Sequence, residues 1–98
     1  RFFGDGPLRL LHLVEQTGSL RSAAQTMGMA YTKALHLLRH AESVLGFALT
    51  RRQIGGRGGG GSALTEEAKA FMAKYENYRE ECVRADRERF ARHFPDEV

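Results

Sequence analysis

The chain has one cysteine, Cys82, in 98 residues, so no intrachain disulfide can staple it, and a reducing compartment is expected. It also lacks any apolar run near the roughly 18 residues that a membrane helix needs, and its first residues do not follow a signal-peptide layout. An intracellular protein with no membrane partner is therefore expected. The groupings that would announce an enzyme are missing as well. There is no Ser/His/Asp set in recognisable context, and Cys82 lies on an apolar seam where a structural role outweighs nucleophilic chemistry. His36 and His40 stand at i, i+4, a spacing that can clasp a metal, but the general-base glutamate expected after the first histidine of a zinc-enzyme helix is absent. The glycine-rich run at 55–61 contains no lysine, which excludes a nucleotide-binding phosphate loop. No catalytic residue, no metal and no cofactor are expected.

What the chain does have is a double helical pattern at 18–46, broken at Gly28. Ser19 can cap the first helix, and Leu20, Ala23, Ala24 and Met27 follow at i, i+3, i+4, i+7. Gly28 suits a left-handed residue just past a helix end, and the pattern restarts around Ala30. In the second helix, expected at about 30–46, Leu37, Leu38, Ala41, Val44 and Leu45 form one side, while Thr32, Lys33, His36, Arg39, His40 and Ser43 form the other. A short glycine-containing turn between two such helices predicts a helix-turn-helix. Its exposed face is neutral or basic, as insertion into a DNA major groove requires, with donors for base edges and charges for phosphates.

The flanks complete the unit. Residues 1–3 read as a short edge strand, and Pro7 opens a helix to about Thr17 with Leu8, Leu11 and Val14 on one stripe and Leu10 and Leu13 beside it. His12 on that helix reads as structural. Residues 47–53 read as a strand, 54–61 as a flexible loop, and Ser62-Ala63-Leu64 as a return strand, together a wing. Gly58 to Ser62 spells a common flexible linker, but it lies inside one hairpin and not between two folds. Arg51, Arg52 and Arg57 offer charges to phosphates, and Gly58 and Gly59 let backbone N–H groups come close; an arginine could also enter a minor groove.

Thr65 is a fair N-cap for the last helix, with Glu66 and Glu67 at the positive end of its dipole. Along it Ala68, Phe71, Met72, Tyr75, Tyr78 and Cys82 form a seam, continued by Val83, Phe90 and Phe94 up to Pro95, with Glu80–Arg84 and Glu88–Arg92 as flanking pairs. Such a helix outruns the small body before it. A homodimer is predicted, with Phe71, Met72, Tyr75, Tyr78, Cys82 and Phe90 at the interface. The fold expected is mainly α, a winged helix-turn-helix at 1–64 and a long C-terminal dimerisation helix at 65–98, within one structural unit.

Charge is distributed to match. Residues 1–65 hold eight Lys/Arg against Asp5, Glu15 and Glu42, whereas 66–98 hold seven basic against nine acidic residues, within a net charge of +3. A polyanion partner suits the first part and a protein partner the second. Two function classes follow. One is a sequence-specific DNA-binding homodimer on an inverted-repeat operator, acting in transcriptional regulation in the cytoplasm at the nucleoid. The other is a protein-interaction module that docks through its long helix, with the winged helix as scaffold.

The helix order, the opening Gly18-Ser19, Met29-Ala30-Tyr31, Arg51-Arg52, the glycine wing from Gly55 to Gly61 with Arg57, and the closing Ala63-Leu64-Thr65 resemble the N-terminal winged-helix domain of molybdate-responsive (ModE-type) transcriptional regulators, relatives of the LysR-type DNA-binding domain. The resemblance spans nearly the whole chain. It implies that Tyr31, Thr32 and Lys33, with Arg51, Arg52 and Arg57 around the wing, face DNA, and that the last helix pairs two subunits; Ser19, Arg21, Ala30, His36, Arg39, His40, Gly58 and Gly59 complete the set expected at the DNA. Ala30 stands where that family usually has serine, and Leu35 where it usually has tryptophan. The family's oxyanion sensor lies in a separate C-terminal domain, so oxyanion sensing is not expected from these residues.

Overall fold

The computed structural model describes residues 3–53 and 61–97. The order is α1 (Asp5–Thr17), α2 (Leu20–Thr26), α3 (Tyr31–Leu45), β1 (Thr50–Gln53), β2 (Gly61–Leu64) and α4 (Glu66–His93), a winged helix-turn-helix followed by a long helix. Ser19 Oγ accepts the Ser22 N–H at 3.0 Å, which starts α2 where the sequence places its cap. The turn that follows carries Gly28 at φ +69°, a conformation that would strain a side-chain-bearing residue, and closes with the Met29 N–H donating to Ala24 O at 3.0 Å.

The core forms where the three-helix body meets the base of the wing and the first turns of α4. Leu10, Leu11 and Val14 of α1, Ala23 and Ala24 of α2, Ala34, Leu38 and Ala41 of α3, Leu49, Leu64, Ala68 and Met72 are all buried. Each of the leucines in this set contributes about 1.5–3 kcal/mol relative to exposure. The buried side of α3 is turned from the expected one. Ala34, Leu38 and Ala41 lie inside on one stripe, while Val44, set off from it at about 100° per residue, is 53% exposed.

β1 and β2 pair antiparallel in the register Thr50↔Leu64 to Gln53↔Gly61. Residues 47–49, expected as strand, are not paired: Leu49 is buried instead, and its N–H and carbonyl bond to Glu42 and Thr65. The wing tip at 54–60 lies outside the described residues. Phe3 is not in a strand; it is 2% exposed and sits edge-on against Phe71 and Tyr75, with ring centroids 4.9 Å away in both cases. The rest of the expected strand, Arg1 and Phe2, lies outside the described residues.

Thr65 caps α4 through a 3.0 Å bond from the Ala68 N–H, and its hydroxyl donates to Ala48 O at 2.7 Å. At 1.5 Å per residue the 28 residues of α4 extend about 42 Å. A polar contact from His12 to Glu76 and an ion pair from Asp5 to Arg79 tie α1 to its first half. Beyond Arg79 every described α4 residue except Ala85 and Ala91 is exposed. The expected Glu80–Arg84 and Glu88–Arg92 pairs are not among the ion pairs of the described residues, in keeping with the small worth of such contacts between long, hydrated side chains.

The seam of α4 is therefore divided. Met72 is 4% exposed within its own body, and Phe71 and Tyr75 are covered in part by Phe3. Met72 is thus taken up within its own body, while Phe71 and Tyr75 keep part of their surface open. Val83, Phe90 and Phe94 stay within about 40° of Met72 at 100° per residue. They continue the same stripe where no described part of the body lies beneath it, at 45%, 49% and 49% exposure.

Candidate nucleic-acid interface

One cleft draws together the start of α2, the outer side of α3 and both wing strands. Arg21, Tyr31, Arg39, Arg51, Arg52 and Ser62 are on its walls. Among the described residues four arginines line it, and no carboxylate does. The field in such a cleft favours a polyanion, and its guanidinium groups match phosphate oxygens in shape as well as charge.

The positions of these side chains follow from local structure. Arg21 leaves the first turn of α2 with its guanidinium over the Tyr31 ring, 4.5 Å from the centroid, so two helices share a cation–π contact at the cleft edge. Arg39 lies two turns into α3, where Glu42 Oε1 accepts its Nη1–H at 2.7 Å. Arg51 and Arg52 are consecutive in β1 and both exposed, opposite Ala63 and Ser62 of β2. The wing is seated on the helices through the start of β2, where the Ser62 N–H donates to Gly18 O at 2.8 Å, in the turn between α1 and α2.

The remaining α3 candidates lie outside the cleft on the exposed face of the same helix. Thr32, Lys33, His36 and His40 are all exposed, with Thr32 and His36 on the crest away from the buried alanines. Ala30 occupies the N-cap position and gives no side-chain cap bond, so the first-turn N–H groups of α3 receive no acceptor from its side chain. Ser19 is half-buried and committed to its cap, which leaves its hydroxyl a supporting part. Arg57, Gly58 and Gly59 lie outside the described residues. The side chains of His36 and His40 join no group of three metal-ligating residues among the described residues.

Sequence patterning missed Glu42. It reads as one polar residue on an amphipathic helix, yet Oε2 accepts the Leu49 N–H at 2.8 Å while Oε1 holds Arg39. Its closeness to Arg39 at i, i+3 was a usable signal; its bond to a backbone group beyond the helix end was not.

Comparison with known proteins agrees with this geometry. Residues 7–69 match the family described as bacterial regulatory helix-turn-helix protein, lysR family, which covers α1 through the start of α4. The chain is 41% identical over 73 residues to the molybdenum transport protein ModE of Herbaspirillum seropedicae, covering 74% of this chain and 25% of that protein. It is 33% identical over 75 residues to the transcriptional regulator ModE of Haemophilus influenzae, covering 76% and 29%. It is 32% identical over 78 residues to the transcriptional regulator ModE of Yersinia pestis, covering 78% and 29%. The chain thus spans a quarter to three tenths of the length of these relatives. With α2, α3 and the wing lying inside the matched region, the chain belongs to the lysR family of bacterial regulatory helix-turn-helix proteins, in a form similar to the ModE regulators.

Proposed function

We propose that this chain binds double-stranded DNA as a homodimer and regulates transcription, with α3 in the major groove and the wing on the backbone or in the minor groove. The observation that carries the reading is the cleft of Arg21, Arg39, Arg51 and Arg52, open between α3 and the wing and lined by no carboxylate among the described residues. A family of regulatory helix-turn-helix proteins and relatives named as transcriptional regulators support the same reading. The work is assigned to the cytoplasm, and among the described residues no helix is long and apolar enough to cross a membrane.

The division of labour follows from position. Thr32 and Lys33 lie in the first turn of α3, the part of a recognition helix that reaches base edges; Arg39, Arg51 and Arg52 meet phosphates. Pairing of two copies through the distal part of α4 sets two such units on an inverted repeat. That pairing is supported by the exposed stripe of Val83, Phe90 and Phe94.

The test is selection of bound duplexes from a random DNA pool, followed by competition of the selected duplex against random duplex at one fixed salt concentration. An inverted repeat should emerge. Thr32→Ala and Lys33→Ala should each lose about 1–3 kcal/mol of preference for the selected duplex at particular base positions. If no sequence is enriched, or if both variants keep the full preference, α3 does not read DNA and the protein-interaction module becomes the better account.

A further inference from the structure

Glu42 is the only carboxylate between Gln16 and Thr65, and it lies on the helix assigned to DNA. A negative charge there repels phosphate, so its placement calls for a compensating role. Its side chain is 13% exposed and both oxygens are engaged, one with the Arg39 guanidinium at 2.7 Å and the other with the Leu49 N–H at 2.8 Å. Leu49 is fully buried and immediately precedes β1. The same joint is held from the opposite side, where the Thr65 N–H donates to Leu49 O at 3.1 Å and the Thr65 hydroxyl to Ala48 O at 2.7 Å. Arg51 and Arg52 follow two and three residues further along the strand.

We propose that Glu42 is a positioning residue for DNA recognition: one carboxylate fixes Arg39 on α3 and the base of β1 together, so that the contacts made by the helix and by the wing keep a common register on the duplex. The inference rests on the DNA-binding reading given above. Glu42 itself touches no DNA in this arrangement. It acts through Arg39 on one side and through the backbone leading to Arg51 and Arg52 on the other. The extra repulsion it brings is offset locally, because its charge is neutralised by Arg39 and largely hidden from the cleft.

Two substitutions separate this role from that of a plain surface acid. Glu42→Gln keeps an oxygen for the Leu49 N–H but loses the charge that holds Arg39; Glu42→Ala loses both. Amide hydrogen exchange in the free full chain should accelerate at Leu49 and through β1 at least tenfold in Glu42→Ala and stay near the unmodified rate in Glu42→Gln. Affinities are then measured for the duplex selected by the unmodified protein and for random duplex of equal length. Both variants remove a negative charge, so a plain surface acid predicts equal or tighter binding to either duplex with the preference unchanged. The positioning role predicts that the ratio of selected to random affinity falls at least fivefold in both variants, and that Glu42→Gln changes it less than twofold when Arg39→Ala is already present. An unchanged ratio, or β1 exchange unaffected in Glu42→Ala, overturns the inference while the DNA reading stands. Failure of the unmodified protein to select any duplex overturns the DNA reading and takes this inference with it.

Discussion

A methyl group at position 61 would collide with the Gly18 carbonyl oxygen, a backbone atom that cannot swing aside, at the point where the start of β2 meets the turn before α2. Gly61→Ala should therefore cost about 1–3 kcal/mol in denaturant unfolding, as overpacking against fixed backbone does. Unfolding unchanged from that of the unmodified chain would mean that the start of β2 yields freely. A second residue-scale prediction concerns Tyr75, whose hydroxyl is buried without a hydrogen-bond partner among the described residues. Tyr75→Phe removes an unsatisfied group and leaves the ring contacts to Phe3 and Phe71, so its melting temperature should match or exceed that of the unmodified chain. A clear drop would reveal a partner for that hydroxyl. At this scale the sequence was legible wherever a group bonds within its own turn: Ser19 to Ser22 and Thr65 to Ala68 are caps visible as Ser or Thr three residues before the N–H they receive. It was not legible where a side chain serves backbone further off, as with Glu42 and Leu49, because periodicity reports faces and carries no information about which loop returns to them.

Among the elements, α2 and α3 were readable because their apolar spacing and their glycine break act over one or two turns. The strands were less so. Residues 47–49 have strand-like composition, but the demands of Glu42 and Thr65 on the Ala48–Leu49 backbone remove those groups from the ladder. The first residues failed for a related reason, since an aromatic at position 3 fills a hole over α4 as readily as it suits a strand. For α4 the seam was visible, but not where the body beneath it would end. That end decides which substitutions separate subunits. Val83→Glu combined with Phe90→Glu should leave the melting of the body nearly unchanged and yield a monomer by sedimentation, since both side chains project beyond Arg79, the last residue paired to α1. Met72→Glu should instead unfold the body, because it places a charge at a site that is 4% exposed. If the double variant still sediments as the unmodified protein does, the distal stripe is not the subunit contact.

At the level of the whole molecule, the radius of gyration is 16.8 Å, against about 13 Å for a compact domain of this length, and the long axis reaches 58 Å. The excess belongs to α4. Its distal half carries Arg84, Arg87, Arg89 and Arg92, all exposed on a helix that no part of its own body covers. Such a segment opens locally without any cost to the core, so trypsin should trim the chain there first and leave a resistant fragment close to the winged body. Because a second copy would shelter the same arginines, the rate of that first cut should slow as protein concentration rises through the association range. The projecting helix would then act as a built-in gauge of assembly: the half-life of the intact chain in a protease-containing extract would lengthen with its own abundance, and an unpaired subunit would be the one removed.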